Sequence, residues 1–170
     1  MNIPLFIKAI EESGLSVWVR ESESVFGFYF VLLMHNLGLA LLAGTTVLIG
    51  LRLLGVSPDL PLGSLKQFMA IFWTGVWTSV ASGILLLIAY PTKALTNPLF
   101  YGKLLCVAAG IWFTKKMAKA VFGDESASDE ARMTAGRSLA YQSLAAWVAA
   151  LSAGRLLAYT YTHLMYPGAR

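Results

Sequence analysis

Three side chains that carry charge, or can take one, stand inside long apolar stretches of this sequence: His35, Lys103 and Arg155. An ionisable group held in hydrocarbon is costly, so such residues mark ligand sites, ion paths or interhelical pairs. Histidine offers an iron or copper ligand, a hydrogen bond to a quinone oxygen, or a neutral imidazole bridging two helices. Lysine and arginine offer charge to an anion. No Asp or Glu occurs in the apolar stretches, so the partner of either cation is Glu21 or Glu23, a backbone carbonyl, water, a lipid phosphate or an anionic ligand. The plain structural alternative is that their long stems snorkel to headgroups, more easily for Lys103 than for the deeper Arg155.

Arg155, Tyr159 and His163 recur at four-residue intervals and so share one helix face, a polar stripe leading toward the surface. A haem b fits this set if His35 binds the iron while Arg155 and Lys103 meet the two propionates. Ligation of one iron by both His35 and His163 is disfavoured, since His163 stands about 12 Å of helix outward from Arg155. Copper is weaker still: Met34 and His35 are adjacent and project about 100° apart on a helix. A quinone bonded by His35, Lys103 and Arg155 remains the other cofactor, with Tyr159 and His163 toward the entrance.

The elements that must position these residues are apolar blocks. Of the 170 residues 57% are hydrophobic and 13% charged, where an average soluble domain carries about 25% charged residues. The blocks run from Val25 to Leu51, Phe68 to Tyr90, Pro98 to Thr114 and Leu139 to Tyr161. A helix needs roughly 20 apolar residues to cross about 30 Å of hydrocarbon, which the first, second and fourth supply unaided. The third is interrupted by Lys103 and is assigned from its neighbours. His35, ten residues beyond Val25, lies about 15 Å into the first span. The expected fold is an all-α membrane protein, one four-span up-down-up-down bundle across 1–170.

The net charge of +4 comes from basic residues beside the blocks, which is a topology signal and not a nucleic-acid patch. Arg52 and Lys66 follow block one, and Lys115, Lys116, Lys119, Arg132 and Arg137 separate blocks three and four. Such residues favour the cytoplasmic side. Both termini are therefore expected outside, in the periplasm of a bacterial inner membrane. His35, Lys103 and Arg155 then share the outer half of the bilayer.

Residues 3–19 place Ile3, Phe6, Ile7, Ile10 and Trp18 near helical spacing and predict an interfacial amphipathic helix, bent at Gly14. Glu21-Ser22-Glu23-Ser24 offers capping oxygens and negative charge at the start of block one. Turns are expected at Ser57–Pro61 and Pro91–Pro98, and a polar, solvated segment at Gly123–Glu130. In block two, Thr74, Thr78 and Ser82, with Gly75, Ser79 and Gly83, predict the most closely packed helix. The lone Cys106 excludes an intrachain disulfide. No signal peptide is visible in residues 1–24. Metalloprotease, phosphate-loop and serine-elbow motifs are all missing.

The runs His35-Asn36-Leu37-Gly38-Leu39-Ala40-Leu41-Leu42-Ala43-Gly44, Leu51-Arg52-Leu53-Leu54-Gly55, Asn97-Pro98-Leu99-Phe100 with Lys103, and Ser152-Ala153-Gly154-Arg155 resemble a group of uncharacterised bacterial four-helix membrane proteins. The likeness covers nearly the whole chain; it implies fold and site but no reaction. A looser likeness joins the chain to membrane cytochrome b bundles, through four helices and His35. The leading expectation is a redox-associated membrane protein binding haem b or quinone, among membrane lipids and with other membrane subunits or further copies of itself. The alternative is a non-catalytic subunit that anchors a larger complex, and the third a small transporter or channel.

Overall fold

The computed structural model describes residues 4–56, 58–124 and 126–160, the side chain of Ala158 excepted. Every regular element among them is helical: α1 Leu5–Glu11, α2 Gly14–Glu21, α3 Phe28–Leu53, α4 Leu62–Leu65, α5 Phe68–Ala89, α6 Pro91–Leu95, α7 Pro98–Phe122 and α8 Asp129–Thr160. Two helices are long and apolar enough to cross a membrane, Phe28–Leu53 and Leu62–Ala89. Only 28% and 22% of their most apolar stretches is buried within the protein, whereas the core helix of a water-soluble domain has its apolar surface covered. The remainder, including Leu33, Leu37, Leu41, Ile71, Trp77 and Ile84, faces outward.

The four long helices alternate in direction. Gly38 and Gly75 fix the α3–α5 crossing: a Cβ on Gly38 would stand 2.5 Å from Ser79 Oγ and 2.9 Å from the Gly75 carbonyl. Only two facing glycines let backbones approach so closely. Gly110 gives the same room to Trp147 between α7 and α8, and Gly50 admits Leu144 between α3 and α8. Going along α3 these contacts go backward along α5 and α8, so both neighbours are antiparallel to it. Block two packs closely on α3 through Gly75 and Ser79, but it is not the most closely packed helix, since α3 buries more of its residues, and Thr74 is exposed and bonds its own helix at Ala70.

The centre is polar as well as apolar. Thr114 Oγ1 donates to the Gly110 carbonyl at 2.7 Å, receives Trp147 Nε1–H at 3.2 Å, and lies 2.7 Å from Ser143 Oγ and 3.4 Å from Thr46 Oγ1. Four buried side chains from α3, α7 and α8 thereby satisfy one another. Around them pack Leu42, Phe72, Val76 and Trp147, with a second cluster of Ile49, Leu53, Leu65 and Met117 toward the Leu53 end.

Several boundaries differ from the sequence expectation. The helix expected over 3–19 is two helices, α1 and α2, parted at Glu12 and Ser13; Ser13 caps α2 by accepting from Ser16 N–H at 3.4 Å. This pair is docked, not free: Ser16 is fully buried, and Arg20 Nη1 donates to the Ala89 carbonyl at 3.3 Å. A cation there faces the negative end of α5. Thr92 adds a hydrogen bond to the Glu11 carboxylate. Ser22 Oγ accepts from Ser24 N–H and Ser24 Oγ from Phe26 N–H, and neither caps α3, which begins later, at Phe28. Pro98 starts α7 as expected, with Asn97 as its cap, but α7 runs past Thr114 to Phe122. Beyond Gly123 the Asp124 carboxylate accepts from Ser126, which holds its pKa below the usual carboxylate range. The last helix starts at Asp129 and not at Leu139, because Ser128 and the polar turn at Asp129 and Glu130 extend it into the connection.

Candidate functional site

His35 stands on α3 one turn before the glycine crossing, where α5 presents Ser79, Ser82 and Gly83. Gly83 lets the ring lie flat against α5: a Cβ there would be 3.3 Å from His35 Cε1. Nδ1 is 3.1 Å from the Ser79 carbonyl and 3.2 Å from Ser82 Oγ. The carbonyl can only accept. Ser82 Oγ donates its own proton to the Thr78 carbonyl at 2.6 Å, so it too offers a lone pair to the ring. Both partners assign the proton to Nδ1 and the free lone pair to Nε2. Nε2 makes no hydrogen bond among the described residues. A ring nitrogen fixed through a backbone carbonyl, with its partner nitrogen left basic, is how proteins orient an imidazole toward a metal or ligand.

Lys103 approaches the same end of the bundle from α7. It rises on α7, and its stem crosses α8 where Gly154 has no side chain; a Cβ on Gly154 would stand 3.4 Å from Cε and 3.6 Å from Nζ. The ammonium lies close enough for its charge to act on the His35 ring. It forms no hydrogen bond or ion pair among the described residues and is half-buried. Each of the four long helices thus contributes to one cluster: His35, then Ser79 with Ser82 and Gly83, then Lys103, then Gly154. Counted from the nearer helix ends, all lie about 7 to 15 Å in. Since α3 begins at Phe28, His35 is nearer the end than counting from Val25 implied, about 10 Å in.

Arg155 follows Gly154 but turns about 100° away from it. It is exposed, with Nη2 3.5 Å from Tyr159 Oη and its guanidinium 5.5 Å from the centre of that ring. The expected stripe therefore exists as far as Arg155 and Tyr159; His163 lies outside the described residues. The four described candidates resolve into two groups, His35 with Lys103 inside and Arg155 with Tyr159 outside. Nearby, Asn97 Nδ2 donates to Thr160 Oγ1 at 2.9 Å and ties the start of α7 to the end of α8.

The sequence reading missed the partners that make the cluster specific. Gly154 was legible only as part of a Gly-Arg pair, and Ser79 and Gly83 only as packing residues of block two. The Thr46–Thr114–Ser143–Trp147 set has four isolated polar or aromatic members on three helices, and no spacing rule links them. A hollow of about 500 Å³ opens beside the cluster between α2, α3 and α5, with Trp18, Phe30, Met34 and Ser82 among its walls. Among the described residues no group of three or more His, Cys, Asp or Glu side chains could hold a metal ion; a metal bound by His35 alone would need ligands from the cofactor that carries it, as haem provides. Comparison with protein-family models, with curated proteins and with solved structures finds no match to this chain.

Proposed function

We propose that the chain is a bacterial inner-membrane protein crossing the bilayer four times, with both termini periplasmic, and that it holds haem b or a quinone in its outer half. The observation that carries this reading is the His35 ring, held by the Ser79 carbonyl, whose Nε2, like the Lys103 ammonium, makes no hydrogen bond or ion pair among the described residues. A basic nitrogen and an ammonium without partners among the described residues cost free energy in a low-dielectric span, and a ligand that binds the first and accepts from the second relieves both. The apolar outer faces of α3 and α5 support the membrane setting, and α7 and α8 complete the span count by lying antiparallel beside them. The basic residues at the Leu53 end of the bundle support the orientation.

The test is the visible spectrum and extractable cofactor of the protein purified in mild detergent. A Soret band lost in His35→Ala selects haem, and stoichiometric quinone in the organic extract selects quinone. Neither, in a folded preparation, leaves the second reading, a non-catalytic subunit of a larger complex. Its specific support is Arg155, exposed at membrane depth with Tyr159 and available to an acidic residue of a partner.

A further inference from the structure

The hollow between α2, α3 and α5 is shaped by residue size. On α5 the small side chains of Ala81 and Ser82 leave the space, and Trp18 of α2 with Phe26 and Phe30 surrounds it. Phe26 and Phe30 meet edge to face, their ring centres 5.5 Å apart. All three aromatic residues are exposed, so the rim is open to a molecule from outside. Ser82 lies about 10 Å in from the Ala89 end of α5, and Met34, another wall, about 9 Å in from Phe28. The space thus reaches from the depth at which aromatic side chains meet headgroups to the level of His35.

One wall residue has an idle donor. Thr74 and Ser82 donate their hydroxyls one turn back along α5, to the carbonyls of Ala70 and Thr78. Thr78 stands between them on the same face and lines the hollow, yet its own hydroxyl makes no hydrogen bond among the described residues. A lone O–H in an apolar wall costs free energy until an acceptor meets it.

We propose that this hollow binds the head ring of a lipid-borne quinone, with a ring carbonyl accepting from Thr78 Oγ1 and the ring held among Trp18, Phe26 and Phe30. This rests on the reading that the chain takes a lipid-soluble ligand in its outer half, and it adds a place for the ring on the Ser82 side of His35, apart from Nε2 and Lys103. Small ring ligands occupy apolar hollows of about 300 to 1,000 Å³ that carry a few polar groups. The hollow has about 500 Å³, with Thr78 and Ser82 as its polar members. Aromatic walls favour a flat ring over a flexible chain, and an acyl chain would leave the Thr78 hydroxyl unmet. Ser82 joins the two places: its Oγ is 3.2 Å from His35 Nδ1, so a ring seated in the hollow lies one hydroxyl away from the imidazole.

The experiment titrates the full chain, in phosphatidylcholine nanodiscs, with decylubiquinone and reads the quenching of tryptophan fluorescence, to which Trp18 contributes from the wall. Saturable binding is expected. Thr78→Val keeps the shape and removes the hydroxyl, and should weaken binding about three- to tenfold, while Thr78→Ser should retain most of the affinity. Ala81→Leu should fill the hollow and abolish saturable binding, and Leu33→Ala, on the outward face of α3, should bind as the parent does. A ring-azido quinone should photolabel peptides that carry Trp18 or Phe30. Should Ala81→Leu fail to fold, Thr78→Val and the photolabel carry the test. Saturable binding that Thr78→Val and Ala81→Leu both leave unchanged overturns the hollow; if Lys103→Met weakens it instead, the ring belongs with Nε2 and Lys103 and the reading above stands. A Soret band without saturable quinone binding also overturns the hollow and leaves haem at His35. Neither band nor binding, in folded protein, overturns both.

Discussion

Lys103 passes across α8 at Gly154, whose missing side chain leaves Cε and Nζ 3.4 and 3.6 Å from where a Cβ would be. Those distances are ordinary van der Waals contacts, so alanine fits and a longer side chain does not. Gly154→Ala should leave ligand affinity within about twofold, whereas Gly154→Leu should expel the ammonium toward the headgroups, where its stem can reach. Reaction of Lys103 with a water-soluble amine reagent, followed by mass spectrometry, reads the difference. Equal labelling in both variants would show that the ammonium never passed over Gly154.

Two glycines of α3 give opposite expectations for one and the same change. Gly38→Ala places a methyl 2.5 Å from Ser79 Oγ, whereas Gly44→Ala meets nothing within 4 Å. The first should destabilise by about 1 to 3 kcal/mol through overpacking. The second should be neutral or stabilise by about 0.5 to 1 kcal/mol through helix propensity. Thermal unfolding of the two variants in one detergent decides the matter, and equal midpoints would mean that α3 and α5 do not cross there.

Thr114→Val keeps the shape of the side chain and removes the hydroxyl that Trp147, Ser143 and Thr46 share. Leaving the buried indole N–H unbonded costs about 1 to 3 kcal/mol, although polar pairs measured in membrane bundles average nearer 0.6 kcal/mol. The expected readout is a lower unfolding midpoint with a blue-shifted tryptophan emission. Emission unchanged from the parent would place the Trp147 nitrogen elsewhere.

Orientation is tested by single cysteines at Ser126 and Thr96, in a chain whose Cys106 has been replaced by alanine. Added to intact cells whose outer membrane has been permeabilised, an impermeant maleimide should modify Cys at position 96 and spare position 126. The reverse pattern would turn the molecule over and put the His35 cluster on the cytoplasmic side.

Helical content and the order of the long helices were legible in the sequence because each follows from local apolar patterning, and the place of His35 along its helix was legible only roughly, since α3 begins at Phe28 and not at Val25. Which residues meet was not. Lys103 and Arg155 look alike in sequence, each the one cation deep in its block, yet the first turns inward over Gly154 and the second outward onto Tyr159. That difference depends on the rotation of α7 against α8, which Gly110 and Trp147 set. Caps were misplaced for a related reason: Ser22 and Ser24 had backbone donors nearer than α3, and local turns compete with helix ends for the same hydroxyls. The extra length of α8 was hidden because polar residues carry a helix beyond an apolar block as readily as they end it.

The glycine contacts divide the bundle into two leaves, α3 with α5 and α7 with α8, bound to each other mainly along the α3–α8 junction, where Phe72 of α5 also packs against Trp147. A book bound along one spine opens at its fore-edge, and the fore-edge here is the side between α5 and α7. Motion of the leaves would alter that gap while leaving the spine unchanged. Spin labels at Ile84 and Leu104 should therefore report a broad spread of separations, and labels at Leu48 and Tyr141, across the spine, a narrow one. Equal widths at the two places would mean that the leaves are fused.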